Sequence, residues 1–350
     1  MLLAVKIAEN RGVCMKKIGE QTYSLQLRPK IVSSAAVAGE KEGKGKLGEY
    51  FDIVEKDPYF GQKTWEAAES EMLKRCFEKM CFKAGMTEKD MDMVLSGDLL
   101  DQCTSSAFTF RKINVSYLGL YGACSTMAES TALAAMLVDG GFGEKVCAMT
   151  SSHFCTAERQ YRFPLEYGGQ KPPTAQSTVT GAGGLLISAK GKGPSVTYVT
   201  IGRIADAGIK DANNMGSAMV PAALNTLLSH FKDTGRTPQY YDAVFTGDLG
   251  AVGHDILEEM LKKEGYFPEQ NYFDCGVMIY EGLEGKERKF GSGCGCSASV
   301  LCGYILPEMK KRRFNKILFA ATGALLSPLT VQQKESIPGI CHAVAIENEV

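Results

Sequence analysis

The sequence has almost no net charge, few histidines and no long apolar run, and each shortage excludes a class of protein. Its 39 basic and 40 acidic residues leave a formal charge of -1, so the composition does not favour nucleic acid as a partner. No apolar run reaches the roughly 18 to 20 residues that a membrane-spanning helix needs. The start of the chain is a poor match to a signal peptide. Because Met15 could serve as an alternative start, we predict that residues 1–14 are a floppy extension.

The twelve cysteines lack the spacing of a metal site. No two are separated by two residues, and the closest pair is Cys294 and Cys296. Only four histidines are available as further ligands, and they are scattered along the chain. The sequence therefore predicts no metal and no cofactor. Cysteines within apolar stretches are typical of small core residues in a reducing, intracellular compartment.

Two stretches of the chain occur twice, in the same order. Residues 92–99 resemble residues 242–249, and both end in Gly-Asp-Leu. Cys124-Ser125 recurs as Cys296-Ser297, and a similar apolar pattern follows each copy at the same distance. We infer an internal duplication, with an N-terminal half at 15–192 and a C-terminal half at 193–350.

Helical and strand patterns alternate along both halves. Apolar residues at helical spacing predict a helix between Thr64 and Gly85, and an alanine-rich pattern predicts a buried helix over 125–139. Short apolar runs, such as 243–246, predict strands between the helices. This alternation indicates an α/β fold, mostly parallel sheet with helices on both faces. Residues 40–50 are rich in Gly, Lys and Glu and are predicted to form an exposed loop.

Cys124 is the sharpest candidate for a functional residue. It stands at the start of the alanine-rich helix, after two small residues, where unpaired amides and the helix dipole favour a thiolate. The alternative is a structural cysteine at a tight helix start. A reactive thiol would also need a base, and His254 or His153 could supply one. The alternative for His254 is a surface helix cap, and His230 and His342 are more typical of core histidines.

Other candidate residues also have two interpretations each. Asp98 and Asp248 follow equivalent strands, where they could act in chemistry or form turns and helix caps. The glycine-rich runs at 180–184 and 291–296 permit close backbone approach but match no phosphate-binding motif. The irregular stretch after residue 152 contains three cations that could bind a carboxylate or merely be solvated: Arg159, Arg162 and Lys171.

The motif Gly122-Ala123-Cys124-Ser125 before an alanine-rich helix, in a duplicated chain, resembles the thiolase and ketoacyl-synthase superfamily. This resemblance implies a duplicated, layered αβαβα sandwich of two mixed sheets. In that superfamily the second half supplies histidine partners for the cysteine. Residues 291–297 resemble one such segment, but Ser292 stands where the histidine would be, and no His-Gly-Thr-Gly-Thr segment is present. The resemblance thus implies no enzyme activity, with Cys124 as a relic of the nucleophile.

Longer strings resemble the stage V sporulation protein AD family, which is itself thiolase-like. They include Gly97-Asp98-Leu99-Leu100, residues 119–126, Ser151-Ser152-His153 and the run from Gly168 to Gly183. This resemblance implies a non-catalytic subunit that binds dipicolinic acid (pyridine-2,6-dicarboxylate) in a spore membrane transport assembly. The implied partners are other stage V membrane proteins, which would hold the chain at the spore inner membrane. Thiolase relatives also suggest a homodimer.

The ligand is expected in the old thiolase pocket, where a helix amino terminus offers amides to an anion. The predicted ligand-binding residues are Cys124, Cys103, Ala123, Asp98, His153, Arg159, Lys171, Gly183, Ser292 and Cys294. Two other functions stay open. One is an active thioesterase or acyltransferase that uses Cys124, and the other is a scaffold of the assembly with no small ligand.

Overall fold

The computed structural model describes residues 16–161, 174–283 and 290–349. The elements of the first half are β1 (Thr22–Ser24), β2 (Lys30–Gly39), α1 (Glu40–Gly43), β3 (Ile53–Glu55), α2 (Trp65–Ala84), β4 (Met93–Gly97), α3 (Thr104–Phe110), β5 (Ser116–Gly119), α4 (Thr126–Asp139), β6 (Lys145–Ser152), α5 (Phe154–Tyr161), β7 (Ser177–Thr178) and β8 (Gly181–Ser188).

The elements of the second half are β9 (Ser195–Thr200), α6 (Met215–Thr234), β10 (Ala243–Thr246), α7 (Gly250–Lys263), β11 (Tyr272–Asp274), α8 (Cys275–Met278), β12 (Gly291–Ser292), α9 (Cys294–Val300), α10 (Leu306–Lys310), β13 (Lys316–Ala324), α11 (Pro328–Gln332) and β14 (Gly339–Glu347). A π-helical turn at Leu301–Ile305 joins α9 to α10. The predicted helices and strands are present, with ends that differ by a few residues.

The strand order of the first half repeats in the second half. The first half runs β5-β4-β6-β8-β2, and the second half runs β11-β10-β13-β14-β9. In both, the three outer strands are parallel and the next pairing is antiparallel. This repeat is what a duplicated sequence predicts. The two sheet layers meet where Lys30 of β2 pairs with Ser195 of β9, so they are two halves of one hydrogen-bonded sheet.

Three large hydrophobic cores hold together five layers of the described structure. The central core packs α4 and α9 between the two sheet layers, with Met127 and Ala298 fully buried. The alanines of α4 are buried as predicted, because short side chains let the helix approach both layers closely. The outer cores pack α2 on the first layer and α6 with α7 on the second. The layered αβαβα arrangement is therefore confirmed.

Local sequence signals account for the ends of the outer helix α2. The Thr64 hydroxyl accepts a hydrogen bond from the Ala67 amide at 3.3 Å and caps the first turn. Gly85 ends the helix in the left-handed region, with φ of 66°, which glycine adopts without strain. Both features were predicted from the sequence.

The prediction of an exposed loop at residues 40–50 is wrong. This segment contains α1, and its Glu42 is buried. The Glu42 carboxylate accepts hydrogen bonds from the Tyr280 hydroxyl at 2.6 Å and the Thr180 amide at 3.2 Å. Burial raises the pKa of Glu42 above its ordinary value. The prediction failed because the charge-rich composition of the segment does not show that the Glu42 carboxyl group is buried against Tyr280 of the second half.

Within the described part of the chain, we find no helix that combines the length and apolar character required to cross a bilayer.

Candidate functional site

A cavity of about 260 Å³ lies between the two halves, at the amino-terminal end of α4. The first half contributes the turn that contains Ala123 and Cys124, together with residues of α5. The second half contributes Ser292 of β12, Ala324 of β13 and residues of α11. The duplication places both sets at the carboxyl ends of strands, where the two halves meet.

The Cys124 side chain forms part of the cavity wall. Ala123 has φ of 50°, a rare conformation for a residue with a side chain, and it turns the chain into α4 just before the cysteine. Cys124 is only 8% exposed, and its Sγ lies 4.0 Å from the Ser292 Oγ. Burial, followed by the charge of Asp248, raises the pKa of Cys124 well above its ordinary value. The raised pKa favours the alternative of a structural cysteine over a thiolate at this helix start, because burial outweighs the helix amides.

Asp248 supports the cavity wall from behind Ser292. Its carboxylate accepts hydrogen bonds from the Ser292 hydroxyl and the Gly293 amide, both at 3.0 Å, and from the Thr322 hydroxyl at 3.1 Å. Burial raises the pKa of Asp248 to about 6. Asp248 thus orients β12 against the Cys124 turn, and its negative charge disfavours a thiolate there.

None of the four histidines lines the cavity, although all four are described. His254 stacks on the Tyr272 ring with centroids 4.1 Å apart, and its Nδ1 lies 3.3 Å from the Asp255 carboxylate. His153 has Nε2 2.8 Å from the Pro58 carbonyl oxygen. Both candidate bases therefore have other partners.

His230 is a core residue, as the more usual interpretation predicts, whereas His342 is only partly buried, on β14. Burial lowers the pKa of His230 to about 3 and that of His342 to about 4. The Thr200 and Tyr241 hydroxyls contact the two ring nitrogens of His230 at 2.8 and 2.6 Å. Neither ring lines the cavity beside Cys124.

Four of the ten predicted ligand-binding residues lie in or beside the cavity wall. Cys124, Ala123 and Ser292 share the cavity wall, and Cys294 packs in the same apolar cluster as Cys124. The Cys294 thiol donates to the Ser151 carbonyl oxygen at 2.9 Å, so it faces the protein interior. Ligand contact by these residues stays a prediction.

Four other predicted residues lie outside this cavity. The Cys103 thiol donates to the Leu120 carbonyl oxygen at 3.1 Å. Asp98 accepts from the Leu100 amide at 2.9 Å and the Ser106 amide at 2.7 Å, which is the turn and helix-cap alternative. The residues concerned are Cys103, Asp98, His153 and Gly183.

Gly183 serves backbone packing. A Cβ atom at this position would lie 2.3 Å from the Ala298 carbonyl oxygen, so only glycine lets α9 pack directly on β8. The glycine-rich run near residue 183 is thus explained by contact between the two halves of the chain.

Arg159 lies on a different face of α5 from the cavity. It lines a second, polar cavity of about 290 Å³ and forms an ion pair with Glu66. Lys171 and Arg162 lie outside the described residues. The proposed cluster of cations at the ligand therefore stays a prediction for Lys171 and Arg162, while Arg159 is placed elsewhere.

Sequence reasoning missed two tyrosines that line the cavity. Tyr121 lies just before the Cys124 turn, and Tyr161 is the last residue of α5. Their hydroxyl oxygens are 3.0 Å apart. Tyr121 could have been noticed because it adjoins Gly122-Ala123-Cys124, whereas no spacing in the sequence signals Tyr161.

The described wall of the cavity contains no lysine, arginine or histidine. Apolar side chains such as Leu99, Ala157 and Met215 form much of it, and Glu158 supplies a carboxyl group. Thr178 and Asn213 add side chains that can donate hydrogen bonds. The wall suits an apolar ring with a few polar substituents, which neutral donors would recognise.

We expect Asp248→Asn to remove one component of the pH dependence of stability. Because burial raises the pKa of Asp248 from 3.8 to about 6, the fold favours the neutral carboxyl group. Its stabilising contribution is complete below about pH 4 and is lost as the pH rises through 6. Relative to Asp248→Asn, the wild-type free energy of unfolding should fall by about 3 kcal/mol across this range. Urea unfolding at half-unit pH steps measures it, and parallel profiles for the two proteins would contradict the assignment.

Comparisons with known proteins give both a family and a fold. The family model described as stage V sporulation protein AD matches residues 19–347. The chain is 43% identical over 333 residues to stage V sporulation protein AD of Bacillus subtilis strain 168, a match that covers 95% of this chain and 98% of that protein.

Solved structures of thiolase-like enzymes share the fold at low sequence identity. For 3-oxoacyl-[acyl-carrier-protein] synthase III from Aquifex aeolicus VF5, the identity is 12% and the TM-score is 0.56, with 91% of this chain and 99% of that chain covered. For a single-residue variant of OleA from Xanthomonas campestris, the identity is 11% and the TM-score is 0.58, with 93% and 99% covered. These likenesses show a thiolase-like fold and carry no activity with them.

Proposed function

The chain belongs to the stage V sporulation protein AD family, and we propose that it is the non-catalytic, dipicolinate-binding subunit of a spore membrane transport assembly. In this role it takes part in the uptake of dipicolinic acid into the developing spore. The ligand occupies the cavity beside Cys124.

The character of the cavity is the observation that carries this proposal. Its volume of about 260 Å³ is slightly below the roughly 300–1,000 Å³ typical of pockets for drug-sized ligands. A single flat ring with two carboxylates is a small ligand of this class. The apolar wall can contact the ring faces, while Thr178 and Asn213 offer neutral donors to the carboxylates.

The surroundings of Cys124 support binding rather than catalysis. An acyl-transfer cysteine needs a thiolate or a nearby base, and the pKa of Cys124 is raised by burial. The second half places Ser292 and Asp248 beside the thiol, and none of the four histidines lines the described wall. Asp248 already accepts three hydrogen bonds that hold the wall together, which is a structural task.

We propose that other stage V membrane proteins hold this chain at the spore inner membrane, and that it forms a homodimer. The strand β5 supports an interaction between copies, because it is the last strand in the order and three of its four residues are exposed. Flotation of the protein with vesicles that contain or lack the partner proteins tests the membrane placement. Sedimentation equilibrium measures the number of copies.

We expect calorimetry to show saturable binding of dipicolinate, with weaker binding of benzoate and no turnover of an acyl-CoA. Cys124→Ala should weaken dipicolinate binding about fivefold, because it removes one buried wall atom worth about 1 kcal/mol. Cys103→Ala is the matched control: Cys103 is also 8% exposed and lies outside the cavity. Its affinity should equal that of the wild type.

Three results would change the proposal in different ways. Turnover of the acyl-CoA that disappears in Cys124→Ala would revive the enzyme hypothesis. No binding of any ligand would leave the scaffold hypothesis. Equal losses of dipicolinate affinity in the two cysteine variants would support the binding function but would contradict the cavity beside Cys124 as the binding site.

A further inference from the structure

Two tyrosine hydroxyls meet at the cavity wall. Tyr121 lies in the turn before Cys124 and is 43% exposed, so it stands at the entrance. Tyr161 ends α5, and its side chain packs against the apolar cluster of Leu99, Cys124, Ala157 and Cys294. The two hydroxyl oxygens are 3.0 Å apart, which is within hydrogen-bond distance.

The direction of each hydrogen bond follows from the partners. The Tyr161 hydroxyl oxygen lies 2.7 Å from the Leu99 carbonyl oxygen, which can only accept. Tyr161 must therefore donate its single hydrogen to Leu99. The bond between the tyrosines must then be donated by Tyr121, whose hydrogen points to Tyr161.

We propose that Tyr121 selects carboxylate-bearing ligands by turning its hydroxyl hydrogen from Tyr161 to a ligand carboxylate. This inference rests on the proposed function and names a residue that recognises the ligand. Tyr121 can make this exchange because its hydroxyl is held by only one acceptor among the described residues. Tyr161 cannot do the same, because its hydrogen is committed to the Leu99 carbonyl.

The cost of the exchange is small. When Tyr121 turns, the Tyr161 oxygen loses a donor but keeps its own bond to Leu99. A hydrogen bond to a charged acceptor is stronger than the neutral bond that it replaces. Burial raises the pKa of Tyr121, so its hydroxyl still carries a hydrogen at neutral pH. Because the described wall has no lysine, arginine or histidine, such neutral donors carry the recognition of the carboxylate there.

The pair of variants Tyr121→Phe and Tyr161→Phe tests this assignment. Both remove one hydroxyl and keep the ring. Tyr161→Phe is the comparison within the cavity wall, where the Leu99 carbonyl retains a second donor, the Gln160 side-chain amide at 3.1 Å. Tyr59→Phe is the control outside the wall, because Tyr59 is similarly exposed, at 38%, and lines neither of the two cavities. The probes are pyridine-2,6-dicarboxylate and the neutral pyridine-2,6-dicarboxamide, measured by calorimetry at neutral pH.

We expect Tyr121→Phe to weaken dicarboxylate binding at least about tenfold and dicarboxamide binding only about threefold, because an amide oxygen accepts a weaker, neutral hydrogen bond. Tyr161→Phe should change the dicarboxylate affinity less than about threefold. The ultraviolet difference spectrum of tyrosine that accompanies binding should be lost in Tyr121→Phe alone. Thermal unfolding of both variants should match the wild type.

The outcomes separate this inference from the proposed function. If the wild type binds the dicarboxylate and Tyr121→Phe binds it equally well, the role of Tyr121 is overturned and the proposed function stands. An equal loss for both probes in Tyr121→Phe also overturns it, since that would show that the hydroxyl does not distinguish a carboxylate oxygen from a neutral amide oxygen. If the wild type binds neither probe, both conclusions fall.

Discussion

Ala157→Phe is expected to reduce dipicolinate affinity by at least about a hundredfold while the protein stays folded. Ala157 lies on α5, is 3% exposed, and forms part of the cavity wall beside Leu99 and Cys124. A phenyl group at this position would fill much of a cavity of about 260 Å³. A ligand that no longer fits loses its ring contacts and its hydrogen bonds together, so a loss of about 2.7 kcal/mol or more is expected.

The matched control is Cys155→Phe, on the same helix. Cys155 is half-buried and lines neither of the two cavities, so the same aromatic ring is added without filling the ligand site. Its dipicolinate affinity should stay within about threefold of the wild type. Calorimetry measures both affinities, and circular dichroism during thermal unfolding verifies the fold. Overpacking typically costs about 1–3 kcal/mol, and it should cost less where a void accepts the ring.

This experiment also separates the binding hypothesis from the scaffold hypothesis. A binding subunit loses its ligand in Ala157→Phe. A scaffold keeps its interaction with a second copy, because no residue of the exposed edge strand β5 lines the cavity. Undiminished dipicolinate affinity in Ala157→Phe would place the ligand elsewhere and would contradict the cavity as its site.

The fold could be predicted because short sequence patterns, such as apolar spacing and a repeated stretch of eight residues, indicate the duplication. Residues 92–99 and 242–249 form equivalent strands, β4 and β10, and lie at equivalent places in the strand order. The helix α2 and its two ends follow from apolar spacing and from the Thr64 and Gly85 caps. Each of these signals involves only residues that are close together in the chain, so it can be recognised in the sequence without the structure.

The site could be predicted only where it adjoins the motif. Ala123, Cys124 and Ser292 belong to recognisable segments, and they share one wall. Tyr161, Ala157 and Met215 reach the same wall from α5 and α6, and no sequence spacing relates them to Cys124. Their proximity arises from packing between the two halves, which acts over long separations in the chain.

Electrostatics was the least predictable part. A cysteine at a helix start favours a thiolate in partly exposed settings, but the Cys124 thiol is buried beside Asp248, and its pKa is raised. The duplicated aspartates also diverged in their roles. Asp98 caps a helix, whereas Asp248 holds β12 and β13 together. The sequence shows that both halves contain an aspartate at this position. The role of each aspartate follows only from the groups that it contacts in the folded chain.

Asp274→Ala is expected to destabilise the protein by at least about 4 kcal/mol. Asp274 is 1% exposed and accepts four hydrogen bonds, from the Thr246 hydroxyl at 2.8 Å and from three backbone amides. The amides belong to residues at the starts of α7 and α8: Leu249 at 2.9 Å, Gly250 at 3.0 Å and Val277 at 3.1 Å. Each buried donor left without an acceptor costs about 1–3 kcal/mol. Urea unfolding at pH 7 measures the change in the free energy of unfolding.

Asp274→Asn is the graded control, because its amide retains one accepting oxygen. Oδ1 serves Gly250 and Val277, and Oδ2 serves Thr246 and Leu249, so the asparagine variant should lose about half as much stability. Burial raises the pKa of Asp274, so removal of the carboxyl group also relieves a desolvation cost, which lowers the net loss. A loss below about 1 kcal/mol in Asp274→Ala would mean that water replaces the missing acceptor. Because Leu249 directly follows Asp248, the same variant should also loosen the cavity wall, and dipicolinate affinity should fall together with stability.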